Sequence, residues 1–238
     1  MLDEATKTLC EGIGRLRTAI VGDVLREMGF PHQILHTSIS GLVRGMKLIG
    51  PAFTIRGEPF MGAPPKLAPG TRQAKYEMFH TIYRGCVLVY ATGGYEEAAA
   101  WGDNINISAR HKGCAGVVVD GGVRDAEPII EAGMPVFGRF ITPTSSAPRF
   151  GITDYQTPVT MTGQTTRHVA VNPGDLILGD FDGVLVIPRA AAPAMLEAAI
   201  ELARIEEIQF AELARGGDRQ TVYEGYSRFG HIKKWTHG

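Results

Sequence analysis

A short segment in the middle of the sequence, Trp101-Gly102-Asp103-Asn104-Ile105, contains polar residues at a point where a helix is expected to begin. If the helix starts near Asp103, the N–H groups of Asn104 and Ile105 belong to its first turn and have no partner inside the helix. Free N–H groups and the positive end of the helix dipole together favour a bound anion. The segment therefore predicts a binding site for a carboxylate.

A second segment, Asp120-Gly121-Gly122-Val123-Arg124-Asp125, places an arginine and an aspartate after two glycines. The glycines let the chain turn sharply, so we expect both charged residues to emerge at the end of the preceding strand. Arg124 offers a planar fork that matches the oxygens of a carboxylate or an oxo acid. Asp125 offers a hard oxygen ligand for Mg²⁺ or Mn²⁺. The chemistry that these residue types permit is binding of an anion beside a divalent cation.

Two apolar runs are expected to position these segments. Residues 86–91 and 115–120 each have the length of a strand, and each is followed closely by a pair of glycines. Residues 103–112 between them are expected to be helical and to end at Gly113, a residue type common just after a helix. Strand, helix and strand form a βαβ unit, so the strands should be parallel and buried on both faces. Ligands of such sheets bind outside the carboxyl ends of the strands, where both polar segments fall.

The rest of the chain predicts an α/β fold whose second half is rich in strands. Helices are expected at residues 4–17, 23–28, 73–84, 126–132 and 190–215, and strands at 48–55, 135–140, 175–179 and 184–187. The last two strands should form a hairpin, since Asp182-Gly183 between them is a typical turn sequence. The stretch 57–70, which is rich in proline and glycine, predicts a surface loop.

The composition argues against several classes of protein. Lys+Arg 24 against Asp+Glu 25 gives a net charge of −1, whereas proteins that bind nucleic acids or membrane surfaces usually have a basic patch. No apolar run approaches the roughly 18 residues of a membrane span, and the first residues lack the features of a signal peptide. Cys10, Cys86 and Cys114 form no C-x-x-C pair and predict neither a zinc site nor a disulfide framework. We expect a cytoplasmic protein without nucleic-acid or membrane partners.

The candidate site residues also have plainer interpretations. Asp103 is equally compatible with a stabilising charge at a helix N-terminus, and Arg124 with Asp125 is compatible with a local ion pair. The glycine loops match neither G-x-G-x-x-G nor a Walker A sequence, so nucleotide binding is disfavoured.

Two other features invite a functional interpretation. His32 and His36 have the i, i+4 spacing of a metal pair, but Pro31 predicts a loop there, so surface or core histidines are the better interpretation. Trp101 is either a packed core residue or a wall of the substrate pocket.

The spacing of the charged residues matches a family signature. Asp103, twenty further residues and then Arg124-Asp125 resemble the D-x20-R-D signature of class II pyruvate aldolases. Those enzymes act on 4-hydroxy-4-methyl-2-oxoglutarate and 4-carboxy-4-hydroxy-2-oxoadipate, and their fold family includes the regulator of ribonuclease activity A. The likeness extends in collinear order over residues 18–25, 50–54, 116–125, 173–175 and 180–184.

This resemblance implies a fold and an assembly. The fold would be a β/β/α swivelling-type, phosphohistidine-domain-like single domain with a central βαβ unit and a C-terminal helix. On this basis we assign residues 1–215 to one α/β catalytic domain and residues 216–238 to a C-terminal tail. The chains would assemble as homotrimers or hexamers, with the site at a subunit interface.

The resemblance also implies roles for individual residues. Asp125 would ligate the metal, Arg124 would bind the 2-oxo acid, and Asp103 would orient the water that protonates an enolate. The amides at Asn104 and Ile105, with Gly102 beside them, would hold the substrate carboxylate.

The family further has an acidic residue from the C-terminal helix of a neighbouring subunit. Glu206 is the nearest match, as a metal ligand directly or through water, and Glu207 is the alternative. Either residue also fits a solvated helix face.

The expected reaction follows from how an enolate can be stabilised. A Schiff-base aldolase needs a buried lysine, whereas the central lysines lie in or beside polar segments. A divalent metal acting as a Lewis acid, with Arg124, would stabilise the pyruvate enolate instead. The same enolate forms when oxaloacetate loses CO₂, so aldolase and decarboxylase both stay open. The alternative is a non-catalytic interaction protein resembling the ribonuclease regulator.

Overall fold

A computed structural model of the chain describes residues 2–60 and 74–236. The helices are α1 Glu4–Gly14, α2 Thr18–Met28, α3 Ala74–Thr81, α4 Asp103–His111, α5 Ala126–Glu131, α6 Ala192–Ala214 and α7 Arg219–Glu224. The strands are β1 Ser40–Gly41, β2 Leu48–Pro59, β3 Val87–Ala91, β4 Ala99–Trp101, β5 Gly116–Val119, β6 Gly122–Val123, β7 Val136–Gly138, β8 Phe140–Ile141, β9 Phe150–Tyr155, β10 Val159–Thr162, β11 His168–Val171, β12 Leu176–Asp180 and β13 Gly183–Ile187.

The main sheet confirms the predicted βαβ unit. Its order is β1-β7-β5-β3-β2-β12-β13, and β9 pairs with β2 outside this path. Strands β2, β3, β5 and β7 are parallel to one another. Helix α4 lies in the connection from β3 to β5, directly after the short strand β4. The predicted hairpin is also present, because β12 and β13 pair antiparallel and turn between Asp180 and Gly183.

The sheet curves into a nearly closed barrel. The chain after α2 runs across the open side: Ile34 forms a bridge with Leu185 of β13, and the N–H of Leu42 bonds to the carbonyl oxygen of Val136 in β7, at 3.1 Å. Because side chains alternate along a strand, successive residues of β5 face the inside and the outside of the barrel in turn. Val118 packs inside the barrel with β10 and β11, whereas Val117 and Val119 pack outward under α3, α4 and α5. Helices α1, α2 and α6 cover the β12–β13 part of the outer face.

Three very short strands form a second parallel layer. Strands β4, β6 and β8 follow β3, β5 and β7 along the chain, and they pair in the matching order β4-β6-β8. We call the polar residues between the two layers the inner row; they are Thr92, Asp120 and Arg139. We call the residues just beyond the second layer the outer row; they are Gly102–Asp103, Arg124–Asp125 and Thr142. Both rows lie at the carboxyl ends of the parallel strands, where ligands of α/β sheets bind.

The structure corrects several predicted boundaries. The first helix ends at Gly14 and not at residue 17, and α2 already begins at Thr18, which lies against the Asp180 carboxylate. The predicted strand 135–140 is interrupted at Arg139, whose side chain turns into the inner row. The 57–70 loop was predicted to begin too early, since β2 extends to Pro59; residues 61–73 lie outside the described part of the chain.

The predicted single α/β domain is confirmed, while its swivelling-type label stays a prediction. The segment that we assigned to a tail contains α7 and returns to the domain: the N–H of Trp235 bonds to the carbonyl of Met28 at 2.8 Å, and its ring lies 6.5 Å from that of Phe30. In residues 2–60 and 74–236, no helix has the length and apolar character to cross a membrane.

Candidate functional site

Helix α4 begins at Asp103, where the sequence predicted a helix start. Gly102 is the N-cap, and the first bond inside the helix runs from the N–H of Asn106 to the carbonyl of Gly102, at 3.0 Å. The amides of Asn104 and Ile105 precede this bond, so they have no partner within the helix. Residues 102–105 therefore form a ready anion-binding segment, which we call the helix half of the site.

Asp125 connects this segment to the end of β6. Its backbone has φ 56° and ψ 42°, a left-handed conformation that is uncommon outside glycine and that costs roughly 1–3 kcal/mol where it is strained. Although Asp125 precedes α5, its side chain does not cap that helix. Instead Oδ2 accepts hydrogen bonds from Nε of Arg124 at 3.0 Å and from the N–H of Asp103 at 3.3 Å. We call Arg124 and Asp125 the arginine half of the site.

Both charged groups of the arginine half retain capacity for a ligand. The hydrogen bond from Arg124 is the main reason why the pKa of Asp125 lies below its usual range, so the carboxylate is ionised at neutral pH. The side chains are 38% and 30% exposed. Arg124 uses only Nε in this pair, and among the described residues its two terminal nitrogens donate no hydrogen bond. A planar fork whose two ends have no partner in this part of the chain is suited to a carboxylate or an oxo acid.

Gly102 brings the two halves of the site into contact. A Cβ atom at this position would lie 3.0 Å from Cγ of Arg124 and 3.0 Å from Oδ2 of Asp125. Because real side chains rarely approach so closely, the absence of a side chain is what allows the helix half to pack against the arginine half. The structure thus brings together five of the residues that the sequence singled out for the site: Gly102, Asp103, Asn104, Arg124 and Asp125, with Ile105 following in the same turn.

The structure shows the contacts of two features that the sequence left ambiguous. Trp101 is 1% exposed and donates its indole N–H to Oδ1 of Asn106 at 3.1 Å, so it is a packed residue beneath the site. His32 and His36 lie in a loop and contact different hydroxyl groups, those of Thr165 and Ser38. Within residues 2–60 and 74–236, no three His, Cys, Asp or Glu side chains converge on a common point where they would hold a metal.

Glu206 lies elsewhere in its own chain. It is on α6, which packs with α1, α2 and α7, and its carboxylate is buried between Arg17 and Arg228. Arg17 donates to Oε2 at 3.2 Å, and Arg228 donates to Oε1. The neighbouring Glu207 is exposed. A contribution of Glu206 to the site therefore requires a second subunit and stays a prediction.

Sequence reasoning missed the inner row. Asp120 is fully buried, and burial raises the pKa of its carboxyl group, against the opposing effect of hydrogen bonds from Thr162 and of the Arg139 charge. Arg139 is only 16% exposed and lies 3.8 Å from Asp120. One signal was available in the sequence: Arg139 stands inside an otherwise apolar predicted strand, and a charge there requires a partner.

A family model and several known proteins match this sequence. A model of the RraA-like family, described as Aldolase/RraA, matches residues 18–186, a span that contains both halves of the site and ends before Glu206. Protein DlpA of Legionella pneumophila is 31% identical over 216 residues, which are 88% of this chain and 32% of that protein. The 4-hydroxy-4-methyl-2-oxoglutarate aldolase of Thermus thermophilus is 38% identical over 104 residues, which are 44% of this chain and 60% of that enzyme. The aligned part thus spans less than two thirds of either relative.

A solved structure also resembles the whole domain. RraAS2 of Streptomyces coelicolor, described as an unusual member of the RNase ES inhibitor RraA protein family, superposes with a TM-score of 0.74 at 27% identity. The match covers 89% of this chain and 100% of that one.

Proposed function

Since the chain belongs to the RraA-like Aldolase/RraA family, we propose that it is a divalent-metal-dependent lyase that forms pyruvate from a 4-hydroxy-2-oxo acid. The observation that supports this most directly is the arrangement around Oδ2 of Asp125. This one oxygen binds both Arg124 and the N-terminus of α4, and it leaves the second carboxylate oxygen and the ends of the arginine fork for ligands.

The residues present fit a hydrated Mg²⁺ or Mn²⁺ ion. Mg²⁺ usually keeps several waters and binds proteins through only one or two carboxylates. Asp125 offers one such carboxylate, which is ionised and partly exposed, so a preformed cluster of three acidic ligands is not required. When bound, the ion would act as a Lewis acid that draws charge from the 2-oxo group of the substrate.

The residues of the chain would then bind the 2-oxo acid and direct a proton to the enolate. The free ends of the Arg124 guanidinium would hold the oxygens of the 2-oxo acid, and the amides of residues 104 and 105 would hold its carboxylate. In cleavage the proton of the 4-hydroxyl group would pass to a water molecule, the C3–C4 bond would break, and a pyruvate enolate and a carbonyl product would be left. Asp103 would orient the water that delivers a proton to C3 of that enolate. Loss of CO₂ from oxaloacetate gives the same enolate, so we propose decarboxylation as a second activity of the site.

The proposal includes an oligomer. In a closed homotrimer or hexamer every interface repeats the same pairing, so a residue that is remote within one chain can complete the site of the next. We propose Glu206 of the neighbouring subunit for this role, as a metal ligand directly or through water.

A second candidate function comes from the RraAS2 match, since that protein is described as belonging to an RNase ES inhibitor family. An interaction protein needs a contact surface but has no need of a left-handed aspartate that joins an arginine to a helix N-terminus. We therefore favour the lyase.

The test is release of pyruvate from oxaloacetate and from 4-hydroxy-2-oxo acids, with and without EDTA. Activity should vanish in chelator and return with Mg²⁺ or Mn²⁺, and Asp125→Asn should need much more metal for half-maximal rate. Glu127→Gln, an exposed acid in the first turn of α5, is the matched control and should titrate like the unaltered protein. Full activity in EDTA together with an intermediate that borohydride traps would contradict the metal-dependent assignment.

A further inference from the structure

The inner row contains a buried carboxylate whose partners come from separate parts of the chain. Asp120 follows β5 and is completely buried. Thr162 of β10 donates to it twice, from the backbone N–H at 3.1 Å and from the hydroxyl at 2.7 Å, and Nη1 of Arg139 lies 3.8 Å away. A buried carboxylate is costly unless it is paired and hydrogen-bonded, so these partners hold the loop after β5 in one place.

Arg139 extends this connection to the loop that leads to the other half of the site. Its N–H donates to the carbonyl of Gly121 at 2.9 Å, and its Nη2 pairs with Glu96 in the β3–β4 loop at 3.3 Å. Its Nε donates to the hydroxyl of Ser38 at 3.1 Å. The fork of Arg139 thus contacts the loop that precedes Arg124 and the loop that precedes Asp103.

Two further contacts join the same loops. The hydroxyl of Thr92, directly after β3, donates to the carbonyl of Asp120, and the N–H of Tyr95 donates to that same hydroxyl at 3.3 Å. A Cβ atom on Gly94 would come within 2.8 Å of Nη1 of Arg139, so this loop lies tightly against the guanidinium. The inner row is therefore a junction between the segments that continue into the two halves of the site.

In the outer row, two hydrogen bonds join these halves: the N–H of Arg124 donates to the carbonyl of Trp101 at 2.9 Å, and the N–H of Asp103 donates to Oδ2 of Asp125 at 3.3 Å. A bond between backbone groups contributes about 0.5–1.5 kcal/mol and one to a carboxylate about 1.5–3 kcal/mol, and β4 and β6, which carry the first of them, are only three and two residues long. A displacement of about 1 Å between reacting groups is enough to cost roughly 10²-fold in rate. The distance between the halves therefore also depends on contacts made by the inner row.

We infer that Asp120 and Arg139 are positioning residues that fix the distance between the helix half and the arginine half of the site. They contact neither substrate nor metal and act through the two loops. Their effect on turnover rests on the proposed function, whereas the mechanical connection between the loops does not.

The test compares Arg139→Met with a matched control. Arg204→Met makes the same change at an exposed arginine on α6 that pairs with Glu201 at 2.7 Å, on the helical face and away from both rows. In Arg139→Met, hydrogen exchange should rise together, by about tenfold, at the backbone amides of residues 101–106 and 120–125, and should stay unchanged in the β12–β13 hairpin. In the control, exchange in both segments should remain as in the unaltered protein.

Turnover supplies the second measurement. In Arg139→Met, kcat should fall by about 10²-fold while KM changes less than about threefold, because each half still binds its own part of the ligand but their spacing is lost. Arg139→Lys keeps the charge without the fork and should show the same pattern at smaller amplitude, which decides the question if the methionine variant does not fold. Asp120→Asn should resemble it, since the amide oxygen can still accept from the N–H of Thr162 and the amide NH₂ can donate to the Thr162 hydroxyl, while the charge opposite Arg139 is lost.

The two hypotheses fail in different ways. Exchange that rises in one segment alone, or in neither, would overturn the positioning role whatever reaction the protein catalyses. An unaltered protein that is inactive on every 2-oxo acid would contradict the proposed function alone, because the exchange comparison does not require turnover.

Discussion

Two of the acid–arginine clusters in this molecule, those of Asp125 and Glu206, differ in how many of their hydrogen-bonding groups remain without a partner among the described residues. In the outer row, Asp125 binds Arg124 through one oxygen, its backbone is left-handed, and the two ends of the arginine fork donate to no residue in 2–60 and 74–236. On the helical face, Glu206 has both oxygens bound, one by Arg17 and one by Arg228, and its side chain is only 7% exposed.

The comparison shows how residues of the same type serve different ends. Arg228 also donates to Asp23 at 3.2 Å, so the Glu206 cluster attaches the C-terminal segment to α2 and α6. Breaking a buried pair of this kind costs stability, because the remaining charge is left without a partner. The outer row instead keeps unused hydrogen-bonding groups at a strained, partly exposed position, which is where a ligand can supply the missing contacts. We therefore expect substitutions in the outer row to change catalysis, and substitutions in the Glu206 cluster to change both stability and catalysis.

The largest effect is expected at Asp103. If its carboxylate orients the proton-donating water, the protein should exchange the methyl protons of pyruvate with D₂O without a second substrate. Asp103→Asn should slow this exchange by about 10²–10⁴-fold, while pyruvate still binds, since removal of a general acid–base group has that typical cost. Proton NMR of pyruvate in D₂O measures the rate, and ligand-observed titration measures the binding.

A matched control exists at another helix N-terminus. Asp218 caps α7 by accepting from the N–H of Thr221 at 2.9 Å, so Asp218→Asn makes the same change where no ligand is expected. It should leave the exchange rate intact. Equal rates for Asp103→Asn and the unaltered protein would remove Asp103 from the mechanism.

The next effect is expected at Arg124. Lysine keeps the charge but cannot reproduce a planar fork, so Arg124→Lys should lower kcat/KM by about 10²-fold, comparable to the loss of one donor that stabilises an oxyanion. The control is Arg204→Lys on α6, where the arginine makes a two-pronged pair with Glu201 at 2.7 and 2.9 Å on the surface. A loss below about threefold at Arg124 would mean that its pair with Asp125 is only structural.

The positions of these residues were predictable from sequence to different degrees. The βαβ unit was found because its strands are continuous apolar runs and its helix ends before Gly113, which has φ 77°. That unit alone places Asp103 and Arg124 at the same edge of the sheet. The strands of the second layer are only two or three residues long, so no periodic pattern marks them, and the two-row arrangement could not be foreseen.

The finer geometry of the site lies beyond sequence patterns. Asp125 has a left-handed backbone, and its side chain binds the N-terminus of α4 and does not cap α5. Both features depend on tertiary contacts with Gly102. The burial of Glu206 is a similar case: its position on an amphipathic helix is compatible with a solvated face, and only the folded C-terminal segment brings Arg228 to it. Local sequence identifies charged residues, but the partners that satisfy them come from distant parts of the chain.

The smallest expected effect on turnover is at Glu206, and it separates the two roles of its cluster. Glu206→Ala should lower the free energy of unfolding by about 1–3 kcal/mol through loss of charged hydrogen bonds, and should lower kcat by about 10- to 100-fold if a neighbour uses the carboxylate near its metal. Arg228→Met disrupts the same cluster but keeps Glu206, so it should lose similar stability and stay active. Co-expression of Glu206→Ala with inactive Arg124→Ala subunits should then restore activity, because some interfaces combine an intact Arg124 with an intact Glu206. If proven mixed oligomers show no recovery, or if Arg228→Met loses as much turnover as Glu206→Ala, the carboxylate only stabilises its own chain.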